Sequence, residues 1–451
     1  MKTDSDRQAA YNALIAIEKD GSYSNLKLSA ILGDKNGYNQ AFVRNLVYGV
    51  IEKKLFLDYI LNKFIKKGID STKLNVIILL RMGLYQILFM DSVPDYAAVS
   101  ESVALARKYA RGMDGFTNGV LRSFLRNRDE ALAIDIDDKS EYLSIKYSCG
   151  VKLVKALEAM IGSGNTERFL AHAQERASLS IRVNSAKISV DELIVRLQNK
   201  NYAVEKSKLS SRALLIKGDS ITELDEYKQG LFSIQSEESC AIADFAAAKS
   251  SELVVDLCAA PGGKTAAMAE AMQIDAKQQN EDRNIENKNV LIKKQGKIIA
   301  LELYKHRCEL IKATASRLKL DNVEVNCQDA GVCVESLLEK ADLVLADVPC
   351  SGLGVIRKKP EIKYKDNFNF DELIKIQMKI LETGCKYVKP GGRLVYSTCT
   401  INPNENELLI EKFLNAHKEF ISEDEIKLSP LHNGYDGFYM NKLRKAGKET
   451  S

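Results

Sequence analysis

The stretch VVDLCAAPGGKTAA, residues 254–267, decides how this chain folds. A β-branched run ends in Asp256, paired glycines follow, and Lys264 and Thr265 open an alanine-rich, helix-forming tail. Strand, bare turn and helix in that order open a βαβ unit, where a cofactor lies against main chain above a helix N-terminus. "GKT" also imitates a phosphate loop, whose spacing is G-x-x-x-x-G-K-[ST]. Five positions before Gly263 stands Cys258 rather than glycine, and Pro261 removes one amide donor from the turn. A phosphate cradle needs successive inward N–H groups, so both changes count against a triphosphate. "LVLADVPC" resembles the strand of a nucleotidase and keeps that alternative open.

Outward from this turn, the apolar stretches "ELVVDLC", "KIIALE", "VEVNC", "DLVLAD" and "GRLVYST" alternate with "YKHRCELIKATASRL" and "DELIKIQMKILETGCKYV". Continuous apolar strands alternating with amphipathic helices predict a Rossmann-like α/β domain over 231–445, its sheet mostly parallel and covered on both faces. The polar run 275–297 is read as a mobile insertion. Residues 131–230 hold the acidic "AIDIDDKS", two short helices, then strand, helix and strand in "LSIRVN", "DELIVRLQNK" and "ALLIKG". They predict a linker and a small α+β module. Residues 1–130 carry helical periodicity throughout, as in "KLNVIILLRMGLYQILFM", and predict an all-α domain.

The 451 residues exceed what one core holds, in keeping with a multidomain chain. No apolar run reaches about eighteen residues, which disfavours a transmembrane helix; the amino-terminal residues lack the apolar core of a secretory signal. Nine cysteines without a CxxC pair, and four scattered histidines, speak against a metal site. Reduced thiols and a cytoplasmic location are expected. The net charge is +4, yet residues 1–130 contain 19 Lys+Arg against 14 Asp+Glu, so 19 − 14 = +5 lies in the helical part. A basic helical domain suits a phosphate-bearing partner.

In a doubly wound sheet the ligand lies beyond the carboxyl ends of the strands. Glu302 follows the second strand and is placed to accept ribose hydroxyls, or to sit as an acid at a helix N-terminus. Asp329 follows the third, placed to meet an adenine amine or to cap a turn. Turn, acid and acid at successive strand ends form a nucleoside-binding series. Asp347 and Cys350 follow the fourth strand, and Cys399 the fifth. Two cysteines on one rim suggest nucleophilic chemistry, since thiolate is the reactive species and a nearby cation favours it.

The motifs "DLCAAPGGKT", "DVPCSGLGVIRKKPEIK" and "YSTCT" resemble those of the RNA cytosine-5 methyltransferases of the NOL1/NOP2/Sun family. "NLVYGVIEKKLFLDYIL" and "GFTNGVLR" resemble the NusB helical fold. The resemblance covers nearly the whole chain and implies methylation of carbon 5 of a cytosine in 16S rRNA through a Cys–C6 adduct. It implies that Cys258, Ala259, Ala260, Pro261, Gly262, Gly263 and Lys264, with Glu302, Asp329 and Asp347, hold S-adenosylmethionine or the target base. It makes Cys399 the nucleophile and Cys350 the residue assisting release, with Asp347 on the cytosine. No metal and no membrane are expected, and a monomer is. The chain departs from the family in having Glu302 for the usual Asp and Ser236 where Asp is usual.

Overall fold

The computed structural model describes residues 4–20, 37–175, 177–218, 220–282, 296–365 and 368–447. The chain divides into two compact units: Met1–Glu175 with Ile356–Asn367, and Arg176–Val355 with Phe368–Ser451.

The first unit is helical: α1 (Ser5–Asp20), α2 (Gln40–Glu52), α3 (Lys54–Asn62), α4 (Leu74–Phe89), α5 (Asp95–Tyr109), α6 (Asp114–Arg126), α7 (Arg128–Leu132), α8 (Lys139–Lys146), α9 (Val151–Ile161) and α10 (Ser163–His172). Helix α4 is buried continuously from Ile78 to Ile87 and packs against α1, α2, α3, α5 and α6. A helix apolar on all sides can be stable only when others surround it. Its one buried cation, Arg81, forks onto Asp58 at 2.6 and 2.7 Å and reaches Glu18 at 3.1 Å. That pairing meets the requirement that a buried charge be matched.

Residues 139–172, read from sequence as linker and two short helices of the middle module, form three helices, α8–α10, that cluster with this helical unit. Ser148 Oγ accepts the Leu55 N–H at the start of α3 (2.9 Å), so they complete its surface. The segment from Ile356 joins them: the Tyr364 hydroxyl lies 2.6 Å from the Ile51 carbonyl and 3.0 Å from Ser148 Oγ.

The second unit begins with a small antiparallel sheet of β1 (Leu179–Val183), β2 (Ala203–Lys206), β3 (Ala213–Lys217) and β4 (Phe232–Ile234), ordered β2-β3-β1-β4. Helix α11 (Val190–Gln198), capped by Ser189, covers it through Leu193 and Leu197; helix α12 (Asp225–Lys228) is a short turn before β4. Helix α13 (Glu237–Ala246) then leads into β5 (Leu253–Asp256), α14 (Gly263–Asp282), β6 (Lys297–Glu302), α15 (Lys305–Leu318), β7 (Val323–Cys327), β8 (Ala341–Asp347), α16 (Phe370–Tyr387), β9 (Val388–Thr398), α17 (Glu407–Ala416), β10 (Phe420–Leu428) and β11 (Phe438–Lys445).

Among the described residues the large sheet runs β10-β11-β9-β8-β5-β6-β7. Strands β5–β9 pair in parallel, and β10 and β11 add an antiparallel edge. Val254 and Val255 of β5 have no exposure, which is why its run is apolar on both faces.

The expected insertion 275–297 is differently built where it is described. Helix α14 continues through Asp282, and β6 begins at Lys297; 283–295 lie outside the described residues. The polar start of that run is helical because it is anchored. Asp275 accepts the Ser250 N–H at 2.8 Å, and Lys277 Nζ donates to the Ala186 carbonyl at 2.6 Å. No described helix is long and apolar enough to cross a membrane, and no described group of His, Cys, Asp or Glu could hold a metal ion.

Candidate active site

Because β5, β6, β7, β8 and β9 are parallel, their carboxyl ends share one edge, and every candidate site residue ends or follows one of them. The turn after β5 is closed by the Gly262 N–H on the Ala259 carbonyl (2.8 Å), and α14 starts at once. Gly262 has φ +100°, and a Cβ there would stand 3.2 Å from the Ile311 backbone. Glycine is therefore required by conformation and by the close approach of α15.

A cavity of about 210 Å³ opens above this turn. It is lined by Asp256, Cys258, Ala259, Ala260, Pro261, Gly263, Lys264 and Asp347, together with Ile234, Gln235, Ser236 and Ser239. The remaining candidates lie beyond its lining. Gly262 turns toward α15. Glu302, buried, accepts the Tyr304 N–H (3.1 Å) and faces Arg307 at 3.4 Å. Arg307 also donates to the Ala260 carbonyl (3.2 Å), tying this acid to the glycine turn. Asp329 is exposed and closes a local turn, accepting the Gly331 N–H at 2.8 Å.

Asp256 is fully buried. Its Oδ2 accepts from Thr265 Oγ1 at 2.7 Å, while Oδ1 has no hydrogen-bond partner among the described residues. Burial pushes its pKa up to about 7, against the Thr265 hydrogen bond. Asp347 is held from both sides: Ser397 Oγ donates to Oδ1 (2.8 Å) and Lys264 Nζ to Oδ2 (2.7 Å). Burial opposes the Lys264 cation, but Asp347, with smaller help from Cys399 and Asp256, raises its pKa.

The two cysteines meet. Cys350 Sγ lies 3.2 Å from Cys399 Sγ and 3.3 Å from the Cys399 backbone nitrogen. Register explains it: Asp347 pairs with Ser397 across β8 and β9, so the chains leave neighbouring strands side by side. The hydrogen bond that the Cys350 thiol gives to Cys399, then burial, then the charges of Cys399 and Glu405, raise the Cys350 pKa well above an ordinary thiol. Cys350 is a neutral thiol at neutral pH.

Glu405, which sequence reading passed over, binds the two cysteine loops together. Its buried carboxylate accepts from Ser351 N (2.8 Å), Gln377 Nε2 (2.9 Å) and Asn402 Nδ2 (3.0 Å). Gln377 also donates to the Pro349 carbonyl at 3.0 Å, and Ser351 Oγ meets Thr400 Oγ1 at 2.7 Å. Gly354 donates to the Cys399 carbonyl at 3.0 Å and lies so near Gly437 that a Cβ would fall 1.8 Å from its oxygen. The one sequence signal for this network is an acid within "INPNENE", just past the second cysteine motif.

Residues 287–444 match a family profile described as 16S rRNA methyltransferase RsmB/F, residues 4–126 the NusB family, and residues 152–221 a ferredoxin-like domain of RsmF/B-like methyltransferases. Over its whole length the chain is similar to a probable ribosomal RNA small subunit methyltransferase B from Bacillus subtilis (strain 168). They are 34% identical over 99% of this chain and 100% of that protein. The chain belongs to the small-subunit rRNA methyltransferase B family. A second member of this family, from Synechocystis sp. (strain ATCC 27184 / PCC 6803 / Kazusa), is 29% identical over 98% of this chain and 100% of its own. The crystal structure of PH0851 superposes with a TM-score of 0.77, at 26% identity, over 98% of this chain and 100% of that one. These full-length matches include the glycine turn, which lies before the span of the RsmB/F profile.

Proposed function

We propose that this chain is an S-adenosylmethionine-dependent methyltransferase of 16S rRNA that acts on carbon 5 of a cytosine, with Cys399 adding to carbon 6. The observation that carries it is the pair of thiols 3.2 Å apart beside the Lys264–Asp347 ion pair. Membership in a family of rRNA methyltransferases supports the substrate class and the methyl donor.

The residues present fit that donor. Ala259, Ala260 and Gly263 leave backbone bare, the helix α14 N-terminus stands beneath, and the unpartnered Asp256 Oδ1 suits the donor's ammonium. When bound, S-adenosylmethionine supplies an electrophilic methyl group on a sulfonium. Glu302, held by Arg307 against the turn, would take the ribose, and Asp329 the adenine.

The chemistry assigned to the cysteines follows from the base. Carbon 5 of cytosine is a poor nucleophile, and addition of a thiolate at carbon 6 turns the ring into an enamine whose carbon 5 can attack the methyl group. Cys399 is taken as the nucleophile of the two because Lys264 is a cation whose charge reaches it. Asp347, oriented by Ser397 and Lys264, accepts from the exocyclic amine of cytosine and stabilises a proton at nitrogen 3. After transfer, the carbon 5 proton leaves toward Cys350 and the Cys399–C6 bond breaks, its electrons closing the C5–C6 double bond. Once Cys399 is bonded to carbon, the hydrogen bond that most raises the Cys350 pKa is gone, so Cys350 can release its own proton to solvent and take up the carbon 5 proton as a thiolate. The base must leave its stack or come from a single-stranded loop. The protein acts as a cytoplasmic monomer in this reading.

The test is transfer of radiolabelled methyl to small-subunit RNA, with mapping of 5-methylcytosine. Cys350→Ala should accumulate a covalent protein–RNA adduct visible on a denaturing gel. Methyl found on a different atom, or no incorporation into any RNA, would overturn the proposal.

A further inference from the structure

Gln235 carries a donor that nothing among the described residues satisfies. The residue is 8% exposed and lines the cavity above the glycine turn, and its Nε2 has no hydrogen-bond partner. A buried amide donor left without a partner costs on the order of 1–3 kcal/mol, so its presence calls for a reason.

The rest of Gln235 is held firmly. Its backbone N–H donates to the Ser180 carbonyl (3.2 Å), and its own carbonyl accepts from Ser180 Oγ (2.9 Å). Its side-chain Oε1 accepts from Arg182 Nη1. Arginine has donors only, so the oxygen end of the amide must face Arg182 and the NH₂ end must face the cavity. Arg182 is itself immobile: fully buried, it forks onto Glu270 with two bonds of 2.8 Å and reaches the Gly263 carbonyl at 2.8 Å. The amide lies over the turn, since a Cβ on Gly263 would meet its Cδ at 3.5 Å and its Nε2 at 3.7 Å.

We propose that Gln235 is a ligand-recognition residue whose Nε2 donates to an acceptor oxygen of a molecule bound in this cavity, and that Arg182 is the positioning residue that fixes which end of the amide is presented. The acceptor is a carboxylate of the methyl donor's amino-acid part or a ring carbonyl of the target base; both are oxygens lacking hydrogen. The small sheet, through Arg182 on β1, thereby becomes part of the catalytic cavity. The inference rests on the methyl-transfer reading for the identity of these two ligands.

The test uses the full-length protein, S-adenosylmethionine in titration calorimetry and small-subunit RNA in steady-state methylation. Gln235→Glu keeps an acceptor for Arg182 but cannot donate. Loss of one such hydrogen bond should weaken one parameter by about tenfold or more while the folding midpoint holds. A raised cofactor Kd with unchanged RNA KM assigns the acceptor to the donor's carboxylate. An unchanged Kd with lowered kcat/KM for RNA assigns it to the base. Should the Glu variant fail to fold, Gln235→Met, equally long and without a donor, is read the same way. Arg182→Lys keeps a cation for Glu270 but lacks the fork, and should move the same parameter by a smaller factor. A folded Gln235 variant with wild-type Kd and wild-type kcat/KM overturns the proposal. Wild-type protein that binds no S-adenosylmethionine would instead overturn the methyl-transfer reading, a result visible before any variant is made.

Discussion

The glycine turn and the cysteine edge lie on the same rim of one sheet and are built in opposite ways. Around the turn, polar atoms wait: Asp256 Oδ1 and Gln235 Nε2 are buried and unpaired, and the carboxyl of Asp256 is pushed up to about 7. Around the cysteines nearly everything is paired, with Glu405 accepting from two loops and from α16 at once. A receptor must leave groups unsatisfied for its ligand to satisfy. A reacting pair must be held still, because a shift of about 1 Å in a reacting group can cost about a hundredfold in rate.

The largest effect should come from the held side. Cys399→Ala removes the attacking atom, and methyl transfer should fall by at least about 10⁴-fold, as for other nucleophile deletions. Calorimetry should find its cofactor affinity unchanged. A weakened affinity would mean that the two halves are not separable.

Glu405→Gln leaves the reacting atoms in place but turns an NH₂ group toward donors. Loss of about 1–3 kcal/mol of stability is expected from the mispaired buried groups. A fall in kcat of roughly a hundredfold with unchanged cofactor Kd should accompany it. A normal kcat in a folded variant would show that the Glu405 network serves folding alone.

On the waiting side, Asp256 should read pH. A cationic ligand prefers its ionised form, so wild-type cofactor affinity should fall as pH drops through about 7, and Asp256→Asn should bind about tenfold more weakly at pH 8 with a flat profile. Stability moves the other way. The folded carboxyl holds its proton above the pH at which the unfolded one releases it, so wild-type stability declines as pH rises between the ordinary carboxyl range and about 7. The Asn variant escapes that decline, and its melting-temperature advantage should widen from pH 5 to pH 8. A constant gap would mean that this carboxyl does not titrate there.

The smallest effect belongs to Ser397→Ala, which removes one of the two holds on Asp347. About 0.5–1.5 kcal/mol, or a few-fold in kcat/KM, is expected.

Much of the second unit was legible from the chain alone because strands buried on both faces, such as β5 and β8, must be apolar throughout, and few other elements look like that. Strand β10 escaped notice because most of its side chains face solvent, so FISEDEIKL shows no apolar run and owes its pairing to β11. The placement of 139–172 with the helical unit was equally hidden, since amphipathic periodicity says that a helix has a partner without saying which.

At the site the division is similar. Residue types at successive strand ends settle that a turn, two acids, a third acid and two cysteines share one edge, because parallel strands leave no other place for their carboxyl ends. That the two sulfurs stand 3.2 Å apart depended on the register of β8 against β9. Gln235, Arg182 and Glu405 acquire meaning only through burial and partners drawn from as far as 88 positions away along the chain. A lone polar residue looks the same in a sequence whether water or protein surrounds it, and that choice is made by packing.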